Sequence, residues 1–180
     1  MTQADAELAR QWAEGGDRGA LRALYERHSR RVWAFARSMT GSEDAAAEVL
    51  QETFLRAAKA MGRFRGQAQF LTWLLTVARS AAADLGRSAQ RRERDREIDP
   101  PARANPGPAD DLGSRELTEA VRQAVVRLPE AERLAVTLCE LQELPLAEAG
   151  AVLGWSESRL KSALWRARGR LRKELEVYVQ

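Results

Sequence analysis

The sequence contains very few of the residues that usually carry enzymatic or metal chemistry. Among its 180 residues there is one cysteine, Cys139, and one histidine, His28. A single cysteine excludes an internal disulfide and a multi-cysteine metal site, and an isolated histidine is a poor metal ligand. The sequence also contains no glycine-rich phosphate loop and no pairing of a nucleophile with histidine. We therefore expect no catalytic residue, no metal and no cofactor, and an enzyme is the least favoured class.

Long apolar segments and strand patterns are also lacking. No apolar run reaches the ~18 residues that a membrane-spanning helix needs, and no signal peptide opens the chain. We therefore expect a cytoplasmic protein without direct membrane insertion. A hydrophobic content of 44% with 31% charged residues is typical of helical globular domains. Because alternating β-branched runs are also too short to form a sheet, we predict an all-α fold.

Apolar residues recur at intervals of three and four over most of the chain, which predicts amphipathic helices separated by short breaks. Asp17 and Ser42 are well placed as helix N-caps. The first half is predicted to hold four helices, at residues 1–15, 17–39, 42–60 and 70–87. The second half is predicted to hold four more, at 112–128, 129–143, a short helix from 146, and a basic helix from 157.

The composition changes abruptly after Arg87. A highly charged segment, RSAQRRERDREID, is followed by PPARANPGPADD, which contains four prolines. Proline favours extended backbone, and the segment has almost no apolar side chains to bury. We therefore predict two small helical domains, at residues 1–90 and 115–180, joined by a flexible linker at 91–114.

The segment from Leu146 to Leu175 is predicted to form a helix–turn–helix. Ser156 can cap the second helix, and Glu157 lies where the helix dipole favours an acid. Within residues 157–173 seven bases and one acid give a net charge of +6. The apolar side of the second helix is predicted to be a single stripe, formed by Leu160, Leu164, Ala167 and Leu171.

Such a pair of helices fits a DNA major groove, where the start of the second helix reaches base edges and later bases neutralise phosphates. The alternative is a solvated basic helix in an ordinary helical bundle, since runs of charge usually face water. The small residues Ala149 and Gly150, which allow two helices to cross closely, and the turn at Gly154 favour DNA binding.

Several motifs resemble those of extracytoplasmic-function (ECF) sigma factors, a bacterial branch of the sigma-70 family. The sigma-2 domain of the family is matched by Gln51-Glu52-Thr53-Phe54-Leu55-Arg56, by Phe70-Leu71-Thr72-Trp73-Leu74-Leu75-Thr76-Val77-Ala78-Arg79 and by Asp84-Leu85-Gly86-Arg87. The sigma-4 domain is matched by Leu128-Pro129-Glu130, Leu153-Gly154, Ser156-Glu157 and Leu160-Lys161-Ser162. The order of these motifs and the two-domain size make the resemblance specific.

The resemblance implies a sigma-2 domain with four helices and a sigma-4 domain with a helix–turn–helix. It implies that the protein directs core RNA polymerase to promoters and promotes melting of the −10 element. The implied partners are the clamp of the largest polymerase subunit, the flap of the second-largest subunit, promoter DNA and an anti-sigma factor. A stand-alone helix–turn–helix regulator is the alternative function, but it would need only the second domain.

Family motifs also assign roles to individual residues. The clamp would be bound by Glu48, Gln51, Glu52 and Arg56, for which the alternative is a solvated helix face. The −10 strand would be bound by Phe64, Arg65, Gln67, Gln69, Arg79 and Arg87, whereas Trp73 is expected to belong to the core. The −35 element would be contacted by Ser156, Ser158, Arg159, Lys161, Ser162, Arg166 and Arg168.

Three departures from the family pattern affect these assignments. Ala47-Glu48 stands where an acidic pair is common, and Ser80 stands where asparagine is common. The recognition helix begins Ser158-Arg159-Leu160 instead of Gly-Thr-Val. The last difference indicates that the −35 sequence preference of this chain departs from that of its relatives.

Overall fold

A computed structural model describes residues 3–64, 68–94 and 112–176. Within these ranges the chain forms helices joined by short turns, and no β-strand occurs there. The predicted all-α fold is therefore confirmed. The helices form two compact units, of which the first contains four helices from the N-terminal half and the second is built mainly from the C-terminal half.

Four helices make up the N-terminal unit. They are α1 (Gln3–Gly15), α2 (Arg18–Thr40), α3 (Glu43–Ala60) and α4 (Phe70–Arg94). A short 3-10 turn, Met61–Arg63, follows α3. Helix α2 lies at the centre and packs against the other three. Its fully buried side chains include Leu24, Val32 and Phe35, and Val49 of α3 and Leu74 of α4 are also fully buried in the core of this unit.

The starts of α2 and α3 are set by the caps that the sequence predicts. The Asp17 carboxylate accepts from the backbone N–H of Gly19 at 2.8 Å, and the Ser42 hydroxyl accepts from that of Ala45 at 3.4 Å. Helix α2 ends at Gly41, whose φ of 71° lies in the left-handed region that a glycine adopts without a steric cost.

Helix α4 continues to Arg94, so the prediction that it ends at Arg87 is wrong. The segment after Arg87 is rich in alanine, arginine, glutamine and glutamate, which are good helix formers. The first proline after it is Pro100, so nothing in 88–94 breaks the helix. Residues 95–111 of the predicted linker lie outside the described residues.

The described part of the C-terminal half also contains four helices. They are α5 (Leu112–Arg127), α6 (Glu130–Val136), α7 (Leu146–Leu153) and α8 (Glu157–Leu175). The predicted core stripe of α8 is largely confirmed, because Leu160, Leu164 and Ala167 are buried while Leu171 is half-buried. Helix α8 packs across α5 and α6 through this stripe.

The second helix of this unit is less regular than predicted. A continuous helix was expected over 129–143, but α6 passes into a π-helical turn at Thr137–Leu141. There the N–H of Gln142 donates to the Thr137 carbonyl at 3.0 Å. Glu143 then adopts a positive φ of 56°, which ends the helical path and turns the chain toward α7.

No helix in the described ranges is long and apolar enough to cross a membrane.

Candidate nucleic-acid interface

The four residues predicted to bind the polymerase clamp lie on one side of α3, but they differ in what they contact. Glu48 and Gln51 are exposed, whereas Glu52 and Arg56 are half-buried. Arg56 donates to Glu52 at 2.6 Å and, from its Nη1, to Asp84 of α4 at 2.5 Å. Arg56 therefore also ties α3 to α4, and Glu52 supports it from the same helix.

Hydrogen bonds within this network favour the charged forms of Asp84 and Arg56. The hydrogen bond from Arg56 lowers the pKa of the Asp84 carboxyl, and Arg87 adds to the effect through a second hydrogen bond. In turn, the hydrogen bonds to Asp84 and Glu52 raise the pKa of the Arg56 guanidinium. The sequence did not reveal the network because its members are far apart along the chain.

A cavity of about 230 Å³ lies in the N-terminal unit beside the predicted −10 loop. Two of the residues predicted to bind the −10 strand, Phe64 and Gln69, line it. Its other lining residues come from α1, α2 and the start of α4, and are Asp5, Ala6, Arg27, His28, Arg31, Phe70 and Leu71. Arg65 and Gln67, which were also predicted to contact the strand, lie outside the described residues.

The inner side of this cavity is built around a buried histidine. The Nε2 of His28 lies 3.2 Å from an oxygen of Asp5, and Arg27 donates to the other oxygen of the same carboxylate. Burial lowers the pKa of His28, although the nearby Asp5 carboxylate opposes the shift. The expectation that His28 lies at the surface or packs between helices is thus resolved in favour of packing.

Three aromatic rings form one wall of the same region. Phe64 stacks edge-on against Phe70 at 5.3 Å between centroids, and Trp73 lies 5.3 Å from Phe64 and 5.5 Å from Phe70. Trp73, which was expected to belong to the core, is only half-buried, although its ring packs against both phenylalanines. Phe64 is half-buried itself, and a planar ligand in the cavity could meet its ring.

The two arginines of α4 predicted to contact the −10 strand are both exposed. Arg87 forms an ion pair with Asp84, so it belongs to the network around Arg56. Arg79 lies more than two turns before Arg87 on the same helix. Their exposure is compatible with phosphate contacts.

The predicted helix–turn–helix is present as α7 and α8. Gly154 has a φ of 67°, which permits the tight turn between them. The hydroxyl of Ser156 accepts from the backbone N–H of Arg159 at 3.3 Å, so Ser156 is the N-cap of α8. A Cβ on Gly150 would come within 2.8 Å of the Trp155 carbonyl oxygen, which explains why a glycine occupies this position.

Helix α8 presents the predicted −35 residues on its exposed side. Ser158, Arg159, Lys161 and Ser162 are exposed within its first two turns. Lys161 lies 3.5 Å from Glu157 in an exposed ion pair, which contributes little to stability. The start of α8 is thus a polar, basic surface that a DNA groove could accept.

Two later arginines of α8 have partners that the sequence did not indicate. Glu132 of α6 is 3% exposed, and Arg166 and Arg170 approach its two oxygens at 3.4 and 3.0 Å. Arg168 forms an ion pair with Glu140. Arg166 and Arg168, predicted to contact phosphates, therefore also anchor α8 within its own unit. Because Glu132 precedes Arg166 by 34 residues, no local pattern could have found this pair.

The sequence left open whether Trp155 and Trp165 serve packing or contact. The half-buried ring of Trp155 lies under the guanidinium of Arg159, with 4.2 Å between the Arg159 Cζ and the ring centroid. Trp165 is 78% exposed on α8. Trp155 therefore has an intramolecular role, whereas Trp165 presents an apolar ring at the surface.

Comparison with known proteins agrees with the two-part organisation. Residues 24–92 match the Sigma-70 region 2 family and residues 118–171 match the Sigma-70, region 4 family. The ECF RNA polymerase sigma factor SigM of Mycobacterium tuberculosis is 32% identical over 173 residues, which cover 96% of this chain and 85% of SigM. The ECF RNA polymerase sigma-E factor of Escherichia coli is 27% identical over 175 residues, covering 92% of this chain and 91% of the relative.

Solved structures give the same result. CnrH, determined in complex with the cytosolic domain of CnrY, superposes with a TM-score of 0.68 at 27% identity and covers 97% of this chain and 98% of its own. RpoE of Bartonella quintana, determined with the anti-sigma factor NepR, shares the fold with a TM-score of 0.69 at 23% identity, covering 87% of this chain and 96% of its own. The resemblance inferred from the motifs is confirmed, and the chain belongs to the ECF RNA polymerase sigma factors of the sigma-70 family.

Proposed function

We propose that this protein binds core RNA polymerase, directs it to a specific set of promoters and helps to open the −10 element. It has no catalytic activity of its own, because polymerase carries out RNA synthesis. The observation that carries the proposal is the presence, in one chain, of a helix–turn–helix with a basic second helix and a separate helical unit with a base-sized cavity at its surface loop.

The polymerase contact is assigned to α3. Glu48 and Gln51 provide an exposed acid and amide one turn apart on the helix, which suit a polar or basic partner helix such as the polymerase clamp. Glu52 and Arg56 extend this surface, and the bonds of Arg56 to Glu52 and to Asp84 hold both side chains in place. The flap of the second-largest subunit would bind the C-terminal unit, as in other sigma-70 proteins.

The −10 contact is assigned to the cavity beside Phe64 and Gln69. Its volume of about 230 Å³ is below the range typical of sites for drug-sized ligands, and a single extruded base is a suitable occupant. Phe64 offers a ring for stacking, and Gln69 offers an amide that can pair with a base edge. Arg65 and Gln67 are proposed to complete the site, with Arg79 and Arg87 holding the backbone of the melted strand.

The −35 contact is assigned to the first turns of α8. Ser158, Arg159 and Ser162 would face base edges, whereas Lys161 would approach phosphates together with Arg166 and Arg168. Ser156 contributes chiefly as the cap of the helix, and its amide neighbours can meet a phosphate at the helix N-terminus. The predicted contacts of Arg166 and Arg168 would have to coexist with their ion pairs to Glu132 and Glu140.

An anti-sigma factor is the proposed regulator, and the cytoplasm is the proposed location. The support is that two proteins that resemble this chain were each solved in a complex, CnrH with the cytosolic domain of CnrY and RpoE with the anti-sigma factor NepR. Such a partner would act by covering the polymerase-binding and DNA-binding surfaces.

Co-purification with core polymerase distinguishes the proposal from a stand-alone helix–turn–helix regulator. The purified chain and core enzyme are mixed and separated by size-exclusion chromatography. A parallel sample also contains an excess of a known sigma factor, which competes for the same core enzyme. A stoichiometric complex displaced by that competitor is expected. A chain that elutes free from core while still binding duplex DNA would support the regulator instead.

A further inference from the structure

We propose that Trp155 is a positioning residue for −35 recognition: its indole holds the guanidinium of Arg159 in the orientation needed to read a guanine. The inference rests on the proposed function of α8 as the recognition helix. It gives a role to a tryptophan that the helix–turn–helix architecture itself does not require, in a position between the turn and the cap of α8.

The backbone of Trp155 is held firmly in place. Its N–H donates to the Gly150 carbonyl at 3.0 Å. Its own carbonyl oxygen lies so close to Gly150 that a Cβ there would be only 2.8 Å away. Because the neighbouring Ser156 also caps α8, the tryptophan is fixed on both sides. The half-buried ring thus projects from a fixed backbone position, next to the first turn of α8.

Arg159 lies over this ring in the first turn of α8. Its Cζ is 4.2 Å from the centroid of the Trp155 ring, and the residue is exposed. At this distance the guanidinium makes a cation–π contact with the indole, and arginine commonly stacks on aromatic rings. The five N–H donors of arginine lie in the plane of the group, so stacking leaves them available to an acceptor at the edge.

That geometry matches what guanine recognition requires. Guanine presents two acceptors, O6 and N7, in the major groove, and an arginine that meets both at once makes the most frequent base-specific contact. An arginine already ordered on a ring loses less side-chain freedom when it forms this contact. A guanidinium held in one plane also adapts less readily to a base that offers a single acceptor. The stack should thus increase discrimination at one base pair more than it increases overall affinity.

Two other roles for Trp155 lead to different results. If the ring only packs, its loss weakens binding to every DNA sequence because the helix–turn–helix loosens. If the ring touches DNA itself, its loss changes preference at a base pair different from the one read by Arg159. The three cases separate when base preference is measured at each position and the two residues are altered singly and together.

The experiment uses the full chain assembled with core polymerase and a promoter library randomised over the −35 element. Bound promoters are sequenced for the wild type, Arg159→Ala, Trp155→Leu, Trp155→Phe and the double variant Trp155→Leu/Arg159→Ala. Arg159→Ala should reduce discrimination at one position by roughly 5- to 100-fold. Trp155→Leu should reduce it at the same position by roughly two- to fivefold, and Trp155→Phe should retain most of it.

The double variant tests whether Trp155 and Arg159 act together. We expect it to behave like Arg159→Ala alone, since a ring without its arginine has nothing to position. Additive losses, an equal loss at all positions, or a change at another base pair would overturn the proposal. Thermal unfolding monitors folding, and if Trp155→Leu does not fold, Trp155→Met takes its place because it keeps a large apolar side chain without an aromatic face.

The same preparations separate this inference from the proposed function. If the wild type supports promoter-specific transcription but Arg159→Ala changes no position, the positioning role is refuted and the sigma function stands. If the wild type gives no promoter-specific transcription with core polymerase, the proposed function itself fails.

Discussion

Arg56 of α3 donates a hydrogen bond to Asp84 of α4 across the N-terminal unit, with 2.5 Å between Nη1 and Oδ2. The same guanidinium binds Glu52 one turn away on α3. A residue of the proposed polymerase surface is thereby also a link between two helices of the core. The effect of a substitution on this surface can therefore be interpreted only when folding stability and polymerase binding are both measured.

We predict that Glu48→Lys lowers affinity for core polymerase without changing the melting temperature, because Glu48 is exposed. Arg56→Ala should lower both, although its stability effect should stay below about 1 kcal/mol because the ion pairs are partly exposed. Binding is measured by fluorescence anisotropy and stability by thermal unfolding.

The matched control for Glu48→Lys is Glu14→Lys, which makes the same charge change on an exposed part of α1. It should leave polymerase affinity within about twofold of the wild type, as expected for a charge away from the interface. If both reversals weakened binding equally, net charge and not the α3 surface would be responsible.

The proposed base-binding cavity can be tested by filling it with a larger side chain. Ala6→Phe places a ring in the cavity from the α1 side, away from the loop at Phe64 and Gln69. Affinity for a single-stranded −10 oligonucleotide should fall by about 1–3 kcal/mol, the usual contribution of one stacked base. Affinity for a −35 duplex should not change.

Ala34→Phe on the exposed side of α2 is the control, since it adds the same ring outside the cavity. Equal affinities of Ala6→Phe and wild type for the −10 strand, with the variant folded, would show that the base binds elsewhere.

The burial of Glu132 predicts that removing its arginine partners costs more stability than removing its own charge. Its carboxylate is buried, whereas Arg166 and Arg170 are half or more exposed. Removing both arginines leaves a buried charge without these partners, which should cost about 3–5 kcal/mol, the usual penalty for breaking a buried ion pair from one side. Glu132→Gln alone should cost less. Chemical denaturation of the double arginine variant, with and without Glu132→Gln, measures the difference.

In the triple variant, Glu132→Gln should restore part of the stability that the two arginine substitutions remove. A triple variant less stable than the double one would mean that Glu132 has other partners of equal weight. The comparison also shows how much of an Arg166→Ala effect on promoter binding comes from lost stability. Glu132→Gln should restore stability, but it cannot restore a lost phosphate contact.

His28 predicts a pH dependence of stability. Burial lowers its pKa in the folded chain below the ordinary value of 6.5, in a setting that also includes Asp5, Arg27 and Arg31. The unfolded chain therefore takes up a proton near pH 6.5 that the folded chain does not. Stability from this group is constant above that pH and declines as the pH falls toward the lower folded pKa, by at most about 1.4 kcal/mol per pH unit.

Unfolding free energies at pH 7.5 and 5.5 test the point. The wild type should lose more stability between these values than His28→Gln, which cannot titrate. Identical losses in the two proteins would place the pH dependence in other groups.

Local features of the fold were predictable from sequence, and long-range ones were not. The caps Asp17, Ser42 and Ser156 and the buried stripe of α8 depend on neighbouring residues, so pattern and propensity revealed them. The extension of α4 to Arg94 was missed because a charged segment was read as a linker although it contains good helix formers.

The same distinction applies to the candidate sites. The exposed residues at the start of α8 followed from helical spacing, and family motifs identified Phe64 and Gln69. The pairs Arg56–Asp84 and Glu132–Arg166 join residues distant in sequence, and the buried Asp5 beside His28 required the packing of α1 on α2. One contact, Trp155–Arg159, is local but spans a cap, where helical spacing does not apply.

Run-off transcription with purified core polymerase tests the central claim most directly. Core enzyme, the full chain and a library of genomic promoters are combined, and transcript starts are sequenced. We predict strong stimulation at a small set of promoters that share a −35 and a −10 motif, and its loss when the −10 motif is altered. Transcription that remains at the level of core enzyme alone on every promoter would contradict the assignment.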